Sequence, residues 1–547
     1  MDRESPRERL GGSRNQNGLA NETGYTIHLA TKLTRRQFVA RGAALGAAAA
    51  LPLRVWPQAS GEQRVVIHTD EEIGVVRPEL HGQFAEHLGS CIYGGLWVGK
   101  DSRIPNVNGY RRQAIDYLHE LGIPVLRWPG GCFADDYHWR EGIGPPERRP
   151  KRVNIHWGGY VEDNSFGTHE FIGLCRLIGA QPYLAGNVGS GAPSELRDWI
   201  EYCNYPSGSA LSDERAANGS PEPFGVRYWG VGNESWGCGG DMRPEEYADE
   251  FRRYSVYLRS FGPTRPFLIA SGPNGNDAEW SRGVLDGLLH QMPDGFAMHY
   301  YSGGADHPAD FTAAHAADQL SSFAKVEQAV IQQRALLDGY DGGNRVALLL
   351  DEWGVWDNLT REEQARNGRL WQQITMRSGV AAGLGLNLFN RQADKLYMAN
   401  IAQIVNVLHS LLLTDGAQGE HCVRTTTYHV FALFKPHRSQ TSVRTETQDS
   451  SPLGLSVSAS KANGQLVASF VNPHTDADIP VDCALEGARA ASGSGLILHD
   501  SDWNAFNSFD APDRIIPRPL EIRVEGGTRV RFDLPRMSVA TVTLQTS

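Results

Sequence analysis

From residue 64 to about 410 apolar runs alternate with amphipathic helices, and twice a glycine hands the helix over to the run. Residues 110–121 place Ala114, Ile115, Leu118 and Leu121 at helical spacing, Gly122 follows, and 123–128 is the run Ile-Pro-Val-Leu-Arg-Trp. A helix carrying Phe171, Leu174, Leu177 and Ile178 gives way at Gly179 to the run 182–187, and a helix over 194–203 precedes 225–231. Further strands are expected at 267–270, 296–299, 346–350 and 396–399, and residues 75–84 read as the first of the series. About eight such units in succession predict a closed (β/α)8 TIM barrel, because runs apolar on both faces suit parallel strands covered by crossover helices. A doubly wound open sheet is the competing arrangement.

Beyond residue 415 the pattern changes to short segments of alternating apolar and polar residues at 453–460, 466–472, 520–524, 528–534 and 538–545, separated by Gly, Asn, Asp and Pro. Period-two alternation between turn residues predicts an antiparallel β-sandwich. Residues 64–69 also read as a strand, one that pairs with this second unit. The expected organisation is therefore a barrel over 74–412 and a β-sandwich built from 61–73 plus 413–547. Residues 1–60 lie outside both, as a disordered N-terminus with a signal region.

That N-terminus is polar up to residue 33, then carries Arg35-Arg36-Gln37-Phe38 before an alanine-rich apolar run at 42–52. The pattern resembles a twin-arginine export signal, and the apolar run is too short for a stable membrane span. Export to the periplasm or beyond the cell is the expectation, with an uncleaved signal anchor as the one membrane attachment considered. A net charge of -11 leaves no electrostatic footprint for nucleic acid or an anionic bilayer. Seven irregularly spaced cysteines do not form a disulfide framework. The nearest metal-like cluster, His81, Glu86 and His87, has no ligand spacing, so no metal is expected.

In a barrel the C-terminal ends of the strands open onto one face, so a polar residue directly after a buried strand stands at the mouth. Two carboxylates do so: Glu234, in Gly230-Val231-Gly232-Asn233-Glu234, and Glu352, in Leu348-Leu349-Leu350-Asp351-Glu352. Either alone would suit a salt bridge at a barrel rim. Together, beside Trp and Gly, they suit hydrolysis of a glycosidic bond with retention, which needs a proton donor for the leaving oxygen and an ionised partner about 5 Å away to attack the anomeric carbon.

Six motifs occur in order: Phe84-Ala85-Glu86-His87-Leu88-Gly89, Arg127-Trp128-Pro129-Gly130-Gly131, Gly232-Asn233-Glu234, His299-Tyr300-Tyr301, Asp351-Glu352-Trp353 and Ala402-Gln403-Ile404-Val405-Asn406. From about residue 64 to the C-terminus the chain resembles family 51 glycoside hydrolases, whose typical member is an α-L-arabinofuranosidase. The resemblance implies that Glu234 is the acid/base and Glu352 the nucleophile. It implies that Asn233 holds the sugar 2-hydroxyl, that Tyr301 bonds the nucleophile, and that His299 lies close to both carboxylates. Glu86 and Gln403 match positions that bind furanose hydroxyls, and Trp157 corresponds to an aromatic wall. One position departs from the pattern: Cys132 stands where many members carry an asparagine that touches the sugar. Cysteine is a poor hydrogen-bond donor, so that contact is either lost or taken over by Asp135 or Asp136. A packed, unreactive thiol is the plain expectation for Cys132.

The resemblance further implies an arabinose-containing oligo- or polysaccharide as substrate, no cofactor, and assembly into a homo-oligomer. Action on β-xylosides or β-glucans remains open within the same barrel chemistry, and a non-catalytic carbohydrate-binding protein remains open outside it.

Overall fold

The computed structural model describes residues 61–547, so the arginine pair and the apolar run after it lie outside the described residues. Eight parallel strands close a barrel: β1 Gly82–Phe84, β2 Val125–Trp128, β3 Gln181–Gly186, β4 Tyr228–Val231, β5 Phe267–Asn274, β6 Gly295–Gly303, β7 Ala347–Trp356 and β8 Leu396–Ala402. Each pairs with the next and β8 pairs with β1, so the closed arrangement holds and the open sheet does not. The first strand is shorter than expected. Pro78 has no N–H to give a ladder, and Pro78–His81 turns as a 3-10 helix, which leaves only Gly82–Phe84 for the barrel.

The helices follow from their spacing. Arg112–Leu121 buries Ala114, Ile115, Leu118 and Leu121, and Gly122 at φ 69° ends it in the left-handed conformation that glycine adopts without strain. Thr168–Ile178 ends the same way at Gly179. Inside the barrel Val125, Tyr183, Tyr228, Ile269, Ala297, Leu349 and Met398 pack together, one from each of β2 to β8. Large side chains fill the axis, so the open space is confined to the ends.

The second unit is one ten-stranded sheet whose central members are Gln465–Asn472, Ser456–Ala462, Thr441–Thr447, Gln63–Val75 and Ile479–Glu486. Every neighbouring pair is antiparallel except the last, Gln63–Val75 with Ile479–Glu486. The strand expected at 64–69 thus pairs into this sheet. The sheet curls until its halves face each other across one core, where Phe470 meets Phe532 edge to face at 5.0 Å. The helix Met376–Arg391 joins barrel to sheet and is buried along almost its whole length. A Cβ at Gly383 would stand 3.0 Å from both Val471 and Val539, so glycine lets helix and sheet approach. Asn387 Nδ2 donates to the Ser456 carbonyl at 3.0 Å, and Asn390 Nδ2 to Ser458 Oγ at 3.0 Å. No helix among the described residues is long and apolar enough to cross a membrane.

Candidate active site

The strand ends deliver the side chains. β7 carries a one-residue bulge against β6: Met298 pairs with Leu350, but His299 pairs with Glu352. The extra residue lets Asp351 and Glu352 both turn inward. Asp351 accepts from Tyr183 Oη and Asn400 Nδ2, each at 2.7 Å, while Glu352 rises above it to the mouth. At the end of β4 the backbone reverses through Gly232 at φ 82°, and Glu234 itself sits at φ 41°. Left-handed geometry in a non-glycine residue costs on the order of 1 kcal/mol or more and persists only where the surroundings enforce it. Here the Glu234 carbonyl accepts the N–H groups of Gly237 at 2.7 Å and Gly239 at 3.2 Å.

The two carboxylates share a histidine. His299 Nδ1 is 2.9 Å from Oε1 of Glu234 and 3.7 Å from Oε1 of Glu352, and one oxygen of each carboxylate lies within 4.8 Å of the other and of His299. Arg127 Nη1 donates to Glu352 Oε1 at 2.7 Å, its Nη2 donates to Asn233 Oδ1, and Tyr301 Oη donates to Glu352 Oε2 at 2.7 Å. Two glycines keep the floor clear. A Cβ on Gly131 would lie 2.8 Å from Glu352 Oε1, and one on Gly130 would lie 2.7 Å from Glu86 Cγ. Glu86 accepts from the Phe133 N–H at 3.0 Å, Trp157 Nε1 at 2.8 Å and Gln403 Nε2 at 3.0 Å. Trp157 comes from the turn of a small ribbon, Arg152–Val153 with Val161–Glu162, and closes one side of the pocket. Asn233 Nδ2 and Gln403 Oε1 are buried with no protein partner.

Charge is distributed unequally over these groups. Burial works against ionisation of Glu352, but the charges of His299 and Arg127, with the Tyr301 and Arg127 hydrogen bonds, outweigh it and hold its pKa below the ordinary value. Burial opposes protonation of His299, yet Glu352 and Glu234 raise its pKa. Burial pushes Glu86 up to about 7, and the negative charge of Glu352 adds to this. A carboxyl that binds its proton more tightly folded than unfolded contributes stability that is complete below the unfolded pKa, near 4.5, and is lost as pH rises toward 7. The parent is therefore expected to lose thermal stability relative to a Glu86→Gln variant between about pH 4.5 and 7, with no further change above, in paired melting curves across that range.

The structure brings together Glu234, Glu352, Asn233, His299, Tyr301, Glu86, Gln403 and Trp157. Cys132 is a correction: it is neither a packed thiol nor a free sugar contact, because its sulfur is bonded to Cys238. Asp135 does not take its place at a sugar. It is buried and accepts the backbone N–H groups of Val188, Gly189 and Asn233 at 2.7, 2.9 and 2.8 Å, tying the loops after β2, β3 and β4 together. His87 is also turned away: its Nδ1 pairs with Glu162 at 2.8 Å and its Nε2 accepts from Trp128 at 3.0 Å, so no ligand set forms with His81 and Glu86. The spacing of Glu234, His299 and Glu352 would suit a cation, but Arg127 already donates to Glu352 and repels a second positive charge. Arg127, Asp351 and Cys238 are the residues that sequence reasoning left without a role, and Asp135 is one to which it gave a different role. The signal for Arg127 was available: a cation inside a short, otherwise apolar strand needs carboxylate partners in the barrel.

A family model described as alpha-L-arabinofuranosidase 1 domain matches residues 117–316, and one described as alpha-L-arabinofuranosidase C-terminal domain matches 351–538. The crystal structure of the GH51 arabinofuranosidase from Xanthomonas axonopodis pv. citri is similar at a TM-score of 0.85 and 40% identity, covering 88% of this chain and 100% of that one. A relative from Bacteroides ovatus, named intracellular exo-alpha-L-arabinofuranosidase, is 42% identical over 88% of this chain and 95% of its own length. The chain belongs to the family 51 α-L-arabinofuranosidases. A family 51 barrel with two inward carboxylates at its mouth is a glycoside hydrolase site. The α-L-arabinofuranosidase of Thermotoga maritima, solved as an arabinose complex, is similar at 28% identity and a TM-score of 0.77, over 88% of this chain and 99% of that one.

Proposed function

We propose that this family 51 enzyme removes terminal non-reducing arabinofuranosyl residues from arabinan, arabinoxylan or their oligosaccharides with retention of configuration, using Glu352 as nucleophile and Glu234 as acid/base. The observation that carries this is the carboxylate pair, within 4.8 Å and bridged by His299, with only Glu352 held by a cation and a phenol. A separation of that order leaves no room for a water between carboxylate and sugar, which is the retaining arrangement.

Glu352, kept ionised by Arg127 and aimed by Tyr301, attacks the anomeric carbon while Glu234 protonates the departing oxygen. The ester so formed is broken by a water that gives its proton to Glu234, and arabinose leaves. Asn233, its Oδ1 fixed by Arg127, has a free Nδ2 for the 2-hydroxyl, where hydrogen bonding tightens as positive charge develops at the ring. Gln403 Oε1 and Glu86 meet the remaining hydroxyls. A cleft lined by Asn274, Asn276, Tyr300, Tyr301, Lys325 and Gln328 opens beside the pair, and its amides and rings suit the chain left behind.

The arginine pair at 35–36 supports export, and a disulfide at the site favours an oxidising compartment. Homo-oligomer formation is part of the same reading. A panel of 4-nitrophenyl glycosides tests the function: turnover confined to the α-L-arabinofuranoside is the expected result. Faster turnover of the β-xyloside or a β-glucoside would move the substrate class, and binding without turnover of any would leave a carbohydrate-binding protein.

A further inference from the structure

The carboxyl of Glu234 rests against sulfur. Cys132 opens the 3-10 turn Cys132–Asp136 after β2, and Cys238 lies four residues beyond Glu234 in the turn that follows β4; a disulfide joins them across 106 residues. Cys238 Sγ is 3.5 Å from Glu234 Oε2, and both sulfurs lie within 4.8 Å of a Glu234 oxygen. A disulfide sulfur carries no proton, so the contact is a wall against which the carboxyl packs and not a donated hydrogen bond. The two reacting carboxylates differ sharply in support. Glu352 is held by Arg127, Tyr301 and His299, whereas the polar contacts of the Glu234 carboxyl are His299 on one oxygen and this sulfur on the other. Its backbone, at φ 41°, also needs the surrounding turn to keep its shape.

We propose that the Cys132–Cys238 disulfide is a positioning element for the acid/base, fixing the Glu234 carboxyl at the leaving oxygen, so that opening the bond slows proton transfer and leaves attack by Glu352 intact. Cys132 and Cys238 are partly exposed residues, while Cys91, Cys175, Cys203, Cys422 and Cys483 are buried. A small dithiol has this disulfide to reduce, since the other five cysteines are free thiols. Its thiolate attacks one sulfur, the other leaves as a thiolate that takes a proton, and the reagent's second thiol closes a cyclic disulfide, releasing two cysteine thiols on the protein. The inference rests on Glu234 being the acid/base.

The experiment compares kcat/KM of the oxidised enzyme, the dithiothreitol-reduced enzyme and a Cys132→Ser/Cys238→Ser variant on arabinofuranosides whose leaving groups run from 2,4-dinitrophenol to methanol. Dinitrophenolate leaves without a proton and methanol does not. The expected result is a loss within about threefold on the dinitrophenyl substrate and about 100-fold on the methyl one, restored by reoxidation in the parent and insensitive to reductant in the variant. No loss on reduction, or a loss of equal factor on every substrate, including one caused by unfolding, overturns the proposal. Failure of the oxidised parent to turn over any arabinofuranoside would instead overturn the functional reading beneath it.

Discussion

Replacing Glu234 by alanine is expected to lower kcat/KM on an arabinosyl oligosaccharide by about 10³-fold, because general acid catalysis is worth roughly 10²–10⁴ and an alkoxide leaves poorly without it. On an activated aryl arabinofuranoside the first step survives and the second, which needs a base for water, becomes limiting. Azide needs no base, so it should restore turnover of that substrate and yield an arabinofuranosyl azide of the substrate's own anomeric configuration. Glu352→Ala should behave in the opposite way. Here no covalent intermediate forms, all substrates lose turnover together, and any azide product is inverted. Rates and the NMR configuration of the azide check both. The contrast follows from geometry, since only Glu352 carries the Arg127 and Tyr301 hydrogen bonds that stabilise a carboxylate as an anion.

Arg127→Ala should be the most damaging single change outside the carboxylate pair. The guanidinium is buried between Glu352 at 2.7 Å and Asp351 at 3.5 Å and also holds Asn233. Removing it strands two buried carboxylates side by side, a loss of about 3–5 kcal/mol by comparison with other buried pairs broken on one side. The sign of its effect on activity is equally definite. Arg127 helps hold the Glu352 pKa below its ordinary value, so its loss raises that pKa, and the acid limb of the kcat/KM profile moves to higher pH. Arg127→Lys keeps a charge but not the planar fork that reaches Glu352 and Asn233 at once. It should recover most of the stability, measured by urea unfolding, while kcat stays about 100-fold down because Asn233, set on the 2-hydroxyl in the proposed mechanism, loses its fixed orientation.

The barrel was legible because apolar runs alternate with amphipathic helices, two of them ended by Gly122 and Gly179, and that pattern is local. Glu234 and Glu352 were legible for the same reason, standing directly after apolar runs. What escaped depends on contacts distant in sequence. Residues 75–84 look apolar enough for a strand, yet Pro78 interrupts the ladder and hands the segment before it to another sheet. No spacing rule links Cys132 to a cysteine 106 residues away, so sequence alone shows a lone thiol where the fold has a bond beside Glu234. Asp135 spends its oxygens on three backbone N–H groups from two other loops, a role that no motif announces. The parallel pairing of Gln63–Val75 with Ile479–Glu486 is likewise invisible to alternation, which reports which face is buried but not which strand lies alongside.

The central claim is that Glu352 forms a covalent bond to arabinofuranose. The most direct measurement is mass spectrometry of the enzyme after incubation with 2-deoxy-2-fluoro-α-L-arabinofuranosyl fluoride, whose good leaving group lets the ester form and whose fluorine slows its hydrolysis. The predicted result is one added fluoroarabinosyl mass on the intact protein, located to the peptide containing Glu352 after digestion. A label on any other residue, or an unlabelled enzyme that still turns over the parent substrate, would contradict it.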